Sequence, residues 1–269
     1  MPCLFQYKRL FFAAVCVLFC LLPAHAQSPE RRQPPTPEEI QKMKTRIGEE
    51  LKKAQSDTAK VRLQMQLAGL TARENLDGAI KLAQAAIALA EKTEHTETIA
   101  RSYFGTGSIF LTQNRYDDAL EYFNKGLPIA EKTGDAHIQQ PYYNNLGMIY
   151  ERKGVYEKTL DYYHKSYAAL EKIQASPGRR AGALMQIGQV QSRTGKYRES
   201  NESYQKALNF AEQAQEWEKV SGIWFNIGNN YNDLGETAQA EAAFAKSREY
   251  RDREKKKAPS PENRKSAGN

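Results

Sequence analysis

The sequence predicts an all-α fold, an α-α superhelix of about five helical hairpins preceded by one extra helix. Three observations predict it. A glycine-bearing phrase recurs about every 40 residues, aromatic residues line up in columns on that register, and small residues fall between them at helical spacing.

The phrase is clearest as Tyr143-Asn-Asn-Leu-Gly147-Met-Ile-Tyr150. It returns as Tyr103-Phe-Gly-Thr-Gly107-Ser-Ile-Phe110 and as Trp224-Phe-Asn-Ile-Gly228-Asn-Asn-Tyr231. Gly188 fills the gap, so the glycines step by 40, 41 and 40 residues, and one step back Leu67 marks a diverged first unit.

On this register four columns are bulky: Leu63, Tyr103, Tyr143, Leu184, Trp224; Leu70, Phe110, Tyr150, Gln191, Tyr231; Leu76, Tyr116, Tyr156, Tyr197, Thr237; and Ala83, Phe123, Tyr163, Tyr204, Phe244. Thirteen of the twenty are aromatic, where a chain that is 10% aromatic would place two. Three further columns are small: that of Gly107 and its equivalents; Ala79, Ala119, Thr159, Ser200, Ala240; and Ala86, Gly126, Ser166, Ala207, Ser247. Small residues let two helix backbones approach while the rings fill the adjoining volume. The spacing i, i+4, i+7 inside each half makes each unit a helix pair.

Between the halves stand Asn114, Gly154, Gly195 and Gly235, which tolerate the left-handed backbone that ends a helix. The first unit has Glu74-Asn75 there, so its turn should differ. Pro128 falls near the end of a second helix and should bend it or end it early. Pro141 is placed in a first helical turn, where proline is tolerated, and Pro177-Gly178 supplies the extra residue of the longer step.

The ends read differently. Lys8 and Arg9, an apolar run from Leu10 to Leu22 and the small residues of Ala24-His25-Ala26 form a secretory leader over 1–26, cleaved after Ala26. The run has 13 residues against the about 20 that a span needs. Its rivals are an uncleaved anchor and acylation at Cys20, the latter opposed by bulky Phe19. Residues 27–37 are a Pro-rich, charged lead-in to Thr36-Pro37-Glu38-Glu39, a helix start that opens a capping helix over 38–54 with Ile40, Met43, Ile47 and Leu51 on one stripe. The repeats fill 57–250, and 251–269 is a basic, disordered tail that solvates the chain or touches anionic surfaces.

Composition excludes several chemistries. All three cysteines, Cys3, Cys16 and Cys20, lie in the leader, so the remainder has no thiol nucleophile, disulfide or Cys-ligated metal. Of the net charge of +7, the leader carries two positive charges and the segment from Arg248 onward four, which leaves a nearly neutral body and opposes nucleic acid as a partner. His95, His137 and His164 lie in different units without metal-ligand spacing. Gly105-Thr-Gly107 sits mid-helix and is no phosphate loop. Asn201-Glu-Ser203 is a glycosylation sequon inside a predicted helix. No cofactor, metal site or catalytic constellation is expected, nor an enzyme.

The columns resemble the tetratricopeptide repeat, with Leu146-Gly147 as its Leu-Gly pair and Ile187-Gly188 and Ile227-Gly228 as conservative versions. The long step is similar to the variant in kinesin light chains and bacterial peptide-sensing regulators. The resemblance implies a binding groove lined by the first helix of each hairpin. Its positions here are Gly105, Ser108 and Thr112; Asn145, Met148 and Arg152; Gln186, Gln189 and Arg193; Asn226, Asn229 and Asp233. Amide side chains offer both a donor and an acceptor to a peptide backbone, and Arg152 and Arg193 suit a carboxylate. The expectation is an exported, periplasmic or secreted scaffold that binds a protein or extended peptide and has no stable membrane span after cleavage. The alternative is a sensory input module, disfavoured because no membrane helix or signalling domain follows the array.

Overall fold

A computed structural model describes residues 35–257, and among them are eleven helices and no strand. The helices are α1 (Pro37–Lys53), α2 (Asp57–Thr71), α3 (Leu76–Lys92), α4 (Thr96–Thr112), α5 (Tyr116–Lys132), α6 (Ala136–Arg152), α7 (Tyr156–Lys172), α8 (Pro177–Arg193), α9 (Tyr197–Gln213), α10 (Trp217–Asp233) and α11 (Thr237–Lys257). The expected leader, nearly all of the lead-in and the end of the tail lie outside the described residues. The chain divides into two units, one reaching to Lys42 and the other starting at Met43. In the first, Thr36 Oγ1 accepts from the Glu39 amide at 3.2 Å while Glu39 Oε2 accepts from the Thr36 amide at 2.7 Å, a reciprocal cap that starts α1. All further packing belongs to the second.

There α2 to α11 pair as five antiparallel hairpins, each first helix (α2, α4, α6, α8, α10) followed by its second (α3, α5, α7, α9, α11). Side-chain caps are scattered: Ser56, Asn75, His95 and Asp135 accept from amides of the first turn, whereas Arg115, Val155, Lys196 and Glu216 cap nothing. Capping therefore leaves most of the helix stability to the buried faces.

The glycine column explains how the two helices of a hairpin meet. A Cβ on Gly107 would stand 2.6 Å from the Phe123 ring, on Gly147 2.5 Å from Tyr163, on Gly188 2.7 Å from Tyr204 and on Gly228 2.5 Å from Phe244. Each ring packs against bare backbone, and Phe123, Tyr163 and Tyr204 are almost fully buried. Gly147→Ala should therefore cost about 2 kcal/mol, the ordinary cost of overpacking, because the added methyl must displace the Tyr163 ring. Urea unfolding reads the loss, and a Gly147→Ala/Tyr163→Leu double variant should lose less than the sum of its two single changes.

The turns inside hairpins two to five are alike. Asn114, Gly154, Gly195 and Gly235 have φ of 57°, 71°, 74° and 74°, and the next amides (Arg115, Val155, Lys196, Glu236) donate back to Phe110, Tyr150, Gln191 and Tyr231 carbonyls. This is the left-handed helix stop expected from the sequence. The first hairpin differs, as expected: Asn75 has φ −144° and caps α3 through Gly78. The junctions between hairpins also turn through left-handed residues, Glu94, Gly134, Gln174 and Gln215, of which only one is a glycine. The extra residue of the 41-residue step falls in the junction before α8, and Pro177 is that helix's first residue.

Two proline expectations need correction. Pro128 neither ends nor shortens α5, which runs on to Lys132 and matches its neighbours in length. The donor it lacks would have met the Asn124 carbonyl, and both residues are exposed, so solvent can supply a donor instead. Pro141 is the sixth residue of α6 and lies beyond the first turn. It deprives the His137 carbonyl of its donor, and exposed His137 lets solvent supply one.

Three columns on the second helices face the following hairpin: Ile80, Leu120, Leu160, Asn201; Ile87, Leu127, Tyr167, Leu208; and Ala90, Ala130, Leu170, Ala211. Their counterparts in α11 are Glu241, Arg248 and Arg251, all exposed. Hairpins also interlock through Tyr142, whose hydroxyl donates to the Ala100 carbonyl at 2.5 Å while its ring lies 5.2 Å from Phe104 and 5.9 Å from Phe123.

Candidate functional site

The first helices carry every expected groove residue, and the structure sorts those residues into two kinds. Gln189, Asn229, Arg152 and Asp233 are exposed and make no hydrogen bond or ion pair among the described residues. Met148 and Asn145 are half-buried, and Asn145 Oδ1 meets only the Asn144 amide at 3.5 Å, beyond good hydrogen-bond length. In the hairpin before, Thr112 is exposed and its hydroxyl, like that of Ser108, is spent on its own helix.

Gln186, Asn226 and Arg193 are engaged internally. The Gln186 side chain hydrogen-bonds the Tyr163 hydroxyl, which donates to Glu151 Oε2 at 2.7 Å; Arg193 Nη1 lies 2.6 Å from the other oxygen of Glu151. Asn226 does for Tyr204 what Gln186 does for Tyr163. Burial first and the Glu151 carboxylate second push the Tyr163 pKa well above the ordinary phenol value, so Tyr163 remains a donor. Burial raises that of Tyr204 to about 12. The guanidinium of Arg193, read from sequence as a contact for a ligand carboxylate, thus already holds one belonging to the neighbouring hairpin.

Sequence reasoning passed over Glu151, although it follows Gly147 by one helical turn and faces the same side. It also missed two clefts. A polar one of about 360 Å³ opens among Gln140, Asn144, Arg179, Gln186, Glu216 and Lys219. Inside it Gln140 is clamped, its amide donating to Ser166 Oγ at 3.0 Å and its carbonyl accepting from Arg179 at 3.0 Å. A larger one of about 640 Å³ lies between α2 and α4.

Elsewhere the chemistry is plain. His95 caps α4, and His137 and His164 are exposed on different helices. Asn201 is 9% exposed and its Oδ1 accepts from Asn230 at 2.7 Å, so the folded sequon is closed. Among the described residues no three His, Cys, Asp or Glu side chains gather to hold a metal ion, and no helix is long and apolar enough to cross a membrane.

Stacked helical hairpins with one open face of first helices define an α-helical repeat protein. Models of the tetratricopeptide repeat match residues 62–132, 140–213 and 221–251, and the chain belongs to that family. Its fold is similar to the crystal structure of BtubC (BKLC) from P. vanneervenii, at 18% identity and a TM-score of 0.70 over 82% of this chain and 94% of that one. A putative kinesin light chain of nearly identical TPR-like repeats from Podosopora anserina gives 15% identity and a TM-score of 0.60 over 74% and 97%. A Rap protein complexed with competence and sporulation factor gives 13% and 0.57 over 80% and 70%. No curated protein matches.

Proposed function

We propose that this chain is an exported, non-catalytic scaffold that holds a protein or an extended peptide along the face of its first helices. The observation that carries the reading is the set of unpartnered polar groups on that face, Gln189 and Asn229 flanked by Arg152 and Asp233, which are exposed and make no hydrogen bond or ion pair among the described residues. An exposed amide that spends nothing inside the fold has a donor and an acceptor to offer a backbone. Asn145 and Met148 extend the row, and Gln186, Asn226 and Arg193 form its fixed floor. The Rap protein in complex with a factor supports peptide capture by this architecture.

Replacing Asn145, Gln189 and Asn229 together by Ala should abolish capture of a partner crosslinked in the cell envelope, with the helical circular dichroism unchanged. Equal recovery of that partner by the triple variant would remove these residues from the site. Export is tested by N-terminal sequencing of the chain from an envelope fraction, where Gln27 should be the first residue; a start at Met1 in the cytoplasmic fraction would refute it.

A further inference from the structure

The cleft between α2 and α4, about 640 Å³, includes the bare backbone of Gly105 in its lining. Gly105 occupies the position held by Asn145, Gln186 and Asn226 in the next three hairpins, and a Cβ there would stand 2.5 Å from Met65 Cε. Val61 and Met65 give it an apolar wall, and the thioether of Met65 can reshape that wall to different side chains. At the rim, Arg101 is neutralised by Glu97 at 2.8 Å. Arg62, by contrast, makes no ion pair or hydrogen bond among the described residues and is exposed.

We propose that this cleft is the anchor of the binding face: it takes one bulky apolar side chain of an extended peptide whose adjacent residue presents a carboxylate to Arg62. The inference rests on the peptide-binding role above and adds a sequence requirement to it. An apolar wall beside one uncompensated cation is complementary to an apolar side chain next to an acid, and a desolvated edge strengthens that ion pair. The chain's own flanks do not fit, since residues 27–34 and 258–269 contain no bulky apolar side chain and carry Arg31, Arg32, Arg264 and Lys265.

The test is fluorescence anisotropy of the purified full chain with short labelled peptides of Gly, Ser and Asn that carry Phe-Glu, Ala-Glu or Phe-Lys at the centre. Phe-Glu should bind about tenfold more tightly than Ala-Glu, as filling an apolar pocket requires, and more tightly than Phe-Lys. Gly105→Leu fills the cleft and should bring Phe-Glu down to the Ala-Glu level. Arg62→Glu, an exposed change that leaves packing alone, should invert the order of Phe-Glu and Phe-Lys even where Gly105→Leu does not fold.

Equal binding of Phe-Glu and Ala-Glu, or an order of Phe-Glu and Phe-Lys unmoved by Arg62→Glu, overturns the anchor. So does Phe-Glu binding that emerges only after residues 1–26 are removed, which assigns the cleft to the chain's own apolar run, or binding that falls as protein concentration rises, which assigns it to a second copy. A partner still captured by Gly105→Leu but lost from the triple amide variant would sink the anchor and leave the scaffold role standing. Partner capture that survives both Gly105→Leu and the triple amide variant would count against both.

Discussion

Tyr142→Ala should lower the unfolding free energy by about 4 kcal/mol, at the upper end for loss of a buried aromatic. Tyr142 is 1% exposed and lies where hairpins two and three meet, so no solvent can enter to fill the space its ring leaves. Three interactions vanish together: the edge-on contacts with Phe104 and Phe123, the bond to the Ala100 carbonyl, and the cover over Gly126, whose bare α-carbon lies against the phenol. Tyr142→Phe separates them, because it keeps the ring and removes only the hydroxyl, and should cost about 1 kcal/mol. Urea titration followed by circular dichroism measures both. If the two variants lost equal stability, the hydroxyl and not the ring would be the lock between the hairpins.

Asn230→Ile should cost about 3 kcal/mol, although the change restores the apolar character of its column, where Ile109, Ile149 and Val190 precede it. Asn230 is 1% exposed and fully occupied: its amide donates to Ser200 Oγ at 2.8 Å and to Asn201 Oδ1 at 2.7 Å, and its carbonyl accepts from Ser192 at 2.6 Å. An isoleucine strands the side-chain carbonyl of buried Asn201, which keeps its desolvation cost, and leaves the half-buried hydroxyl of Ser192 without its acceptor. Adding Asn201→Leu and Ser192→Ala removes those groups and should recover most of the loss. A single Asn230→Ile variant as stable as the parent would show that the network contributes nothing net.

These two residues mark the limits of reading such a chain from its letters. The repeat was legible because its constraints are periodic: a glycine facing a ring imposes the same pair of residue types every 40 or 41 positions, as Gly147 with Tyr163 and Gly188 with Tyr204 show. Asn230 was illegible because its partners come from three different columns and occur once. Glu94, Gln174 and Gln215 left no sign of their left-handed backbone, since a short junction between long helices imposes that conformation whatever the residue. At the candidate site, the family register points to a face of the first helices, yet it could not separate Gln189, which is free, from Gln186, which is held by Tyr163; that depends on a hydroxyl supplied by another hairpin. The Gly105 cleft was hidden for a related reason, as it depends on how Met65 of the preceding hairpin packs against the bare backbone of Gly105.

The charged residues of α11 bear on how such an array changes length. Glu241, Arg248 and Arg251 stand where every earlier hairpin has a residue suited to lie beneath its successor, so a copy appended after α11 would have to desolvate three charges. A copy spliced between hairpins two and three would meet compatible surfaces on both sides. Growth by duplication is therefore directed to the interior, and each inserted hairpin would lengthen the face of first helices between Gly105 and Asn229 by one unit, so that the length of that face is a countable and heritable quantity.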